Sequence, residues 1–287
     1  MNPTGEADDV KLLVAARSAL LDALDALAQL REAVVVIGAQ AIYLHTGGAA
    51  VALAEATKDS DLALDPRRLA LTPLIEEAMT QAGFLPNTTT GQPGAWLNDD
   101  DIPVDLMVPE ALSGPGGRRG ARIPPHSSSA ARRATGLEAA VVDHVPMIVG
   151  SLDPRDPRTV TANVAGPTAL LVAKLHKLAE RRATPERLEN KDAHDIYRLL
   201  VAISTETLKE SLERLVIDPL AGEVTQQAMT HLDELFAAGP DALGSVMAGQ
   251  AEELVGEPET VAGSVSILAA DLARSPGRGR SRPDPAS

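Results

Sequence analysis

The sequence predicts an α+β fold, with a small mixed sheet in the first half of the chain and a helical bundle in the second. Three observations carry that expectation. The β-branched run Ala33-Val34-Val35-Val36-Ile37 and the short apolar runs after it have the composition of buried strands. From Gly166 onward apolar residues recur at helical spacing almost without a break. Between these halves, residues 112–135 are rich in Gly, Pro and Ser and hold five arginines and no acid before residue 135. The expected organisation is a core over 1–160 with a flexible basic loop at about 112–135. A helical domain over 161–274 and a disordered tail over 275–287 follow.

Residues 9–32 place Val10, Leu13, Ala16, Leu20, Leu24, Leu27 and Leu30 at helical spacing, so the chain opens with a helix. The strand at 33–37 ends in Gly38, and Ala39–Thr46 turns into a helix that Gly47-Gly48 stops. Asp61-Leu62-Ala63-Leu64 reads as a second strand. A helix is expected from Pro66 to Ala82, because proline suits a first helical turn and Gly83 a stop. Residues 94–98 and 102–108 read as paired strands around the acidic turn Asp99-Asp100-Asp101. Further strands are expected at 138–143 and 145–150. The helices expected after them are 167–182, 190–203, 205–216, 222–237, 241–254 and 259–273.

Composition excludes several classes of function. The chain has 287 residues and no apolar run near the twenty that a membrane span needs. Its polar opening, Met1-Asn2-Pro3-Thr4-Gly5-Glu6, lacks the basic stretch and apolar core of a signal peptide. There is no cysteine, which removes disulfides, thiolate metal sites and cysteine nucleophiles and fits a cytoplasmic location. The net charge of -14 repels nucleic acid at long range, so a polyanionic substrate must meet a local basic patch. Aromatics are 2% of the chain, too few to read single strands by base stacking. Twelve acids between 206 and 260 face only Lys209 and Arg214, which gives either a solvated face or a contact for a basic partner.

The chemistry-bearing residues fall into two groups. Asp59 and Asp61 are two apart at the entrance of a strand, so their side chains point the same way. Asp105 lies in the apolar strand Ile102-Pro103-Val104-Asp105-Leu106-Met107-Val108, where an isolated carboxylate is costly to bury. A divalent cation shared by Asp59, Asp61 and Asp105 would offset that cost, and magnesium prefers such hard oxygen ligands. The plainer alternative is that Asp59 caps a turn, Asp61 begins a strand and Asp105 pairs with an arginine.

The second group is helical. Lys174, Lys177 and Arg181 form a basic stripe on a helix whose Leu171, Leu175 and Leu178 form an apolar one. The stripe would suit either charge neutralisation on a leaving pyrophosphate or ordinary solvation. Downstream, Asp192 and Asp195 share a helical face that Leu199 continues, so Asp195 is expected to be partly buried with Lys174 as its cationic partner.

Strand, Gly38, helix, then Thr57-Lys58-Asp59-Ser60-Asp61-Leu62, then an acid within an apolar strand resembles the polymerase-β-like nucleotidyltransferase core. Ala173-Lys174-Leu175-His176 and Lys191-Asp192-Ala193-His194-Asp195-Ile196 resemble paired motifs of the AbiEii/MenT-type nucleotidyltransferase toxins. The resemblance covers about residues 33–200. It implies a magnesium cofactor at Asp59, Asp61 and Asp105, and a nucleoside triphosphate co-substrate near Gly38, Ala39, Lys58, Lys174 and Lys177. It gives catalytic roles to Asp59, Asp61, Lys174 and Asp195, with Asp195 acting on the attacking hydroxyl or orienting Lys174. The implied partners are tRNA or another RNA and a cognate antitoxin, with no membrane.

The chain departs from that pattern at Gly38-Ala39, where the family has Gly-Ser or Gly-Gly, and in a longer gap from Gly38 to Asp59. Three rival readings remain. His194-Asp195, with His144 and His176 available, resembles the start of a metal-dependent HD phosphohydrolase site but leaves the first three acids unexplained. A small-molecule nucleotidyltransferase of the antibiotic-modifying kind would keep the chemistry and change the acceptor. A nucleotidyltransferase fold used only for binding would keep neither. Arg118-Arg119, Arg122 and Arg132-Arg133 favour an RNA acceptor over the second reading.

Overall fold

A computed structural model describes residues 3–47, 58–115, 119–253 and 256–274. It has the expected mixed architecture. Helix α1 (Pro3–Ala26) leads through a short 3-10 turn into β1 (Val34–Ile37), and α2 (Gly38–Thr46) starts on the next residue. Strand β2 (Ser60–Leu64) follows, then α3 (Ile75–Gln81), β3 (Leu85–Pro86), β4 (Ala95–Leu97), β5 (Pro103–Pro109) and β6 (Arg132–Ala134). The sheet closes with β7 (His144–Gly150) and β8 (Thr159–Ala165). The rest is helical: α4 (Pro167–Arg182), α5 (Asn190–Ala202), α6 (Thr205–Val216), α7 (Gly222–Leu232), α8 (Leu243–Gln250) and α9 (Pro258–Ala273).

The strands join in the order β3-β4-β5-β2-β1-β8-β7, and β6 pairs with β5 beyond the end of β4. β1 runs antiparallel to β2 and parallel to β8, while β2 runs parallel to β5. The register aligns Ile37, Asp61, Asp105 and Ala95 in one row across four strands. Residues in such a row project from the same face, so the strand order itself brings two distant carboxylates side by side. Helix α1 packs on β2, β5 and β8, and α2 connects the sheet to α4 and α5. One apolar core runs from Leu62 and Leu106 in the sheet to Leu171, Ile196 and Phe236 in the helical half.

The structure corrects three expectations and adds a strand. The helix expected from Pro66 to Ala82 is only α3, because Thr72-Pro73 interrupts the segment and a residue before proline avoids the helical region. Residues 138–143 form consecutive turns, with Ala140 N–H donating to Leu137 O and Asp143 N–H to Ala139 O. Their apolar run is buried, and the one acid in its interior-facing start, Glu138, accepts from the backbone N–H groups of Ala111 and Gly136 at 3.0 Å each. The alternating segment Thr159–Ala165, between the strand expected at 145–150 and the helical half, is an additional strand, β8, and pairs with both β7 and β1.

The third correction concerns the basic segment 112–135. Ala121, Ile123, Ala130 and Ala131 are buried in the core, and Arg132–Ala134 form β6. His126 fastens the segment to the region before α3, accepting from Ile75 N–H at 3.2 Å and lying 3.0 Å from Ala70 O. Small residues pack closely against the sheet here, so a glycine- and proline-rich composition did not prevent a contribution to the core. Gly116, Gly117 and Arg118 lie outside the described residues, as do residues 48–57 and the tail from 275.

Candidate active site

The row of sheet residues opens onto a cleft of about 320 Å³ between the sheet and the start of the helical half. Asp59, Asp61 and Asp105 line the sheet side with Ile37, Gly38 and Met107. Lys174, Lys177 and Arg181 line the opposite side, on α4. Five of the residues that sequence reasoning singled out, Asp59, Asp61, Asp105, Lys174 and Lys177, therefore meet in one place, with Gly38 at their edge.

Gly38 has φ +68° and stands beside Asp61, close to its neighbour across the β1–β2 pair. A Cβ at this position would collide with the Asp61 carboxylate. Glycine is thus required twice, for its backbone conformation and for the space it leaves. The first peptide N–H groups of α2 begin at this point without a side-chain cap from Ile37. Ala39 is buried, and Lys58 is exposed at the near end of β2. Neither is among the described residues that line the cleft.

Desolvation, then the nearby charges of Asp59 and Asp105, push the Asp61 carboxyl up to about 7. Asp105 faces Arg132, whose Nη2 donates to Asp105 Oδ2 at 2.9 Å. Arg132 is in register with Met107, two residues beyond Asp105 and on the same face, which explains the reach. The arginine alternative considered for Asp105 is therefore present in the fold. Among the described residues no three carboxylate or imidazole groups stand close enough to cage a metal ion. Magnesium does not need such a cage, since it binds through one or two carboxylates plus waters and substrate phosphates. The Asp59–Asp61 pair fits that requirement, and a cation there would relieve the repulsion that raises Asp61.

The helical side has its own buried network. Lys174 is 6% exposed, with Nζ donating to Asp192 Oδ1 at 2.8 Å and lying 2.6 Å from Asp195 Oδ2. Burial opposes its charge, but the two carboxylates outweigh burial and hold Lys174 well above the ordinary lysine range. Asp192 also meets Lys177 Nζ at 3.0 Å and Arg181 Nη1 at 2.9 Å. Burial works against its ionised form, yet the Lys174 and Lys177 charges lower the Asp192 carboxyl far below the usual range. Asp195 is 2% exposed and sits behind Lys174, outside the cleft wall. Of the two roles considered for it, this geometry suits orientation of Lys174.

Sequence reasoning paired Lys174 with Asp195 correctly but did not find Asp192 as the common partner of three cations. The spacing of Asp192 and of Lys174 to Arg181 contained the signal, since all four fall on facing helical stripes. Arg187, between α4 and α5, also lines the cleft and had no sequence signal. Two of the three histidines of the phosphohydrolase alternative are engaged elsewhere: His194 Nε2 lies 2.8 Å from Glu252 Oε1 and His176 Nε2 lies 2.8 Å from Val224 O. No helix among the described residues is long and apolar enough to cross a membrane.

A family model described as nucleotidyltransferase matches residues 16–219, a span that contains every residue of the cleft. No curated protein and no solved structure matches the chain.

Proposed function

The chain belongs to the nucleotidyltransferase family, and from that premise we propose that it transfers a nucleoside monophosphate from a nucleoside triphosphate to RNA, with tRNA as the foremost acceptor, as a toxin of the AbiEii/MenT type. The observation that carries this reading is the convergence of Asp59, Asp61 and Asp105 on one wall of the cleft with Lys174, Lys177 and Arg181 on the other. Carboxylates alone would suit a metal, and cations alone a phosphate. A metal–triphosphate complex asks for both at once.

In this proposal Asp59 and Asp61 would hold magnesium, with Asp105 completing the acidic face. The bound ion would neutralise triphosphate oxygens and fix them for in-line displacement. The acceptor hydroxyl oxygen forms a bond to the α-phosphorus, the bond from that phosphorus to the oxygen bridging the β-phosphate breaks, pyrophosphate leaves with that oxygen, and the hydroxyl proton passes to solvent. Lys174 and Lys177 stabilise negative charge on the departing pyrophosphate. Asp195 positions Lys174, and Asp192 holds Lys174, Lys177 and Arg181 as one cluster. The N–H groups at the start of α2, from Gly38 and Ala39, can meet an anionic oxygen, since helix N-termini favour negative charge. Lys58 would act at the nucleotide from outside the described cleft wall. A toxin reading also implies a cognate antitoxin, which a small neighbouring reading frame would encode.

Incubation of the purified protein with labelled nucleoside triphosphates, magnesium and total tRNA tests the acceptor. Transfer of label to RNA supports the proposal. Label that appears only on a small molecule removes the RNA acceptor and the toxin role. Absence of magnesium-dependent nucleotide binding removes the catalytic reading altogether.

A further inference from the structure

The cleft is locally positive in a strongly negative protein: seven cationic side chains line it against four carboxylates, among the described residues. These cations fall into two sets. Lys174, Lys177 and Arg181 are committed to Asp192, Arg132 to Asp105, and Arg133 to Glu110 at 3.0 Å. Arg119 and Arg187 are exposed, and neither guanidinium has a carboxylate partner among the described residues.

The two uncommitted arginines come from opposite walls. Arg119 precedes the Gly120 bridge to β6, and its carbonyl accepts from Arg133 N–H at 2.9 Å, which fixes its backbone to the sheet side. Arg187 ends the 3-10 turn Pro185–Arg187 between α4 and α5. Of the committed cations, Arg132 bonds to Asp105, and Lys174, Lys177 and Arg181 face the carboxylate wall from α4. Each of them already has a carboxylate partner in the fold, with Asp195 and Glu189 sharing the cluster around Asp192. Arg119 and Arg187 carry charge that is balanced only by solvent ions, the condition under which phosphate binding gains from counterion release.

We propose that Arg119 and Arg187 are the acceptor clamp, each contacting a backbone phosphate of an RNA strand laid across the mouth of the cleft. The inference rests on the proposed transfer to RNA and assigns the residues that separate acceptor binding from nucleotide binding. Glu180 also lines this wall and would disfavour a phosphate beside it, so the contact is placed at Arg187 rather than along the exposed edge of α4.

The test is tRNA binding to the full chain, measured by fluorescence anisotropy over a range of salt, for the wild type and for Arg119→Ala with Arg187→Ala. Both residues are exposed, so the variant should fold normally. Each arginine that neutralises a phosphate accounts for about 1 in the salt slope. The double variant should therefore have a slope smaller by about 2, with magnesium–nucleotide affinity unchanged. An unchanged slope, or a loss of nucleotide affinity instead, overturns the clamp while wild-type labelling of RNA preserves the transfer reading. If the wild type neither binds nor labels RNA, the transfer reading itself fails.

Discussion

The Asp61 carboxylate fills the space that a side chain on Gly38 would need. This contact joins the first turn of α2 to the central acid of the cleft, two features that are 23 residues apart in sequence. Gly38→Ala should therefore act twice. It forces a left-handed conformation on a residue with a Cβ, at a cost of roughly 1–2 kcal/mol, and it displaces Asp61. The expected result is a modest loss of stability in denaturant titration and a far larger loss of nucleotidyl transfer. Equal, small effects on both would show that Asp61 does not need this placement.

Asp61→Asn should stabilise the protein in the presence of a chelator while it removes activity. The folded carboxyl titrates at about 7 against an ordinary 3.8, with desolvation the leading cause and the charges of Asp59 and Asp105 next. The folded state then binds the proton more tightly than the unfolded state. Stability associated with Asp61 is full below about 4 and is lost as pH rises toward 7. Melting temperatures in chelator should thus diverge between wild type and Asp61→Asn across that window, with the variant higher at pH 8. A variant that melts lower at every pH would contradict the repulsion described for the acidic face.

Asp192→Asn and Asp195→Asn should separate structure from chemistry. Asp192 is the shared partner of Lys174, Lys177 and Arg181, so its loss leaves three clustered cations with only Asp195 and Glu189 and should cost about 3–5 kcal/mol. Asp195 holds Lys174 alone, and Lys174 keeps Asp192 when it is removed. Asp195→Asn should retain more stability, keep nucleotide KM within a few-fold and lose kcat. Matched losses of stability in the two variants would show that Asp195 is only part of the fold's ion network.

Limited proteolysis with trypsin tests the basic segment. Arg132 and Arg133 lie in β6, hydrogen-bonded to β5, so cleavage after either should be slow under native conditions. Rapid cutting at these two arginines would restore the flexible loop that composition alone suggests.

These outcomes also mark what the sequence made legible. The helix 167–182 was readable to the residue, because a proline at its start and two arginines at its end accompany clear periodicity. The acids at 59, 61 and 105 were readable as spacing, yet their adjacency depends on β2 pairing with β5, a relation no local pattern states. The run at 138–143 misled because burial without periodicity suits a turn packed in a core as well as a strand. β8 carries its own signal, three β-branched residues in Thr159-Val160-Thr161. The Arg132 contact to Asp105 and the position of Arg187 are tertiary facts, with no trace in spacing.

Transfer of labelled nucleotide to RNA by wild type and by Asp61→Ala, with and without magnesium, tests the central claim most directly. The account predicts label on RNA only for the wild type with magnesium. Equal transfer by Asp61→Ala, or transfer that persists in chelator, would contradict it.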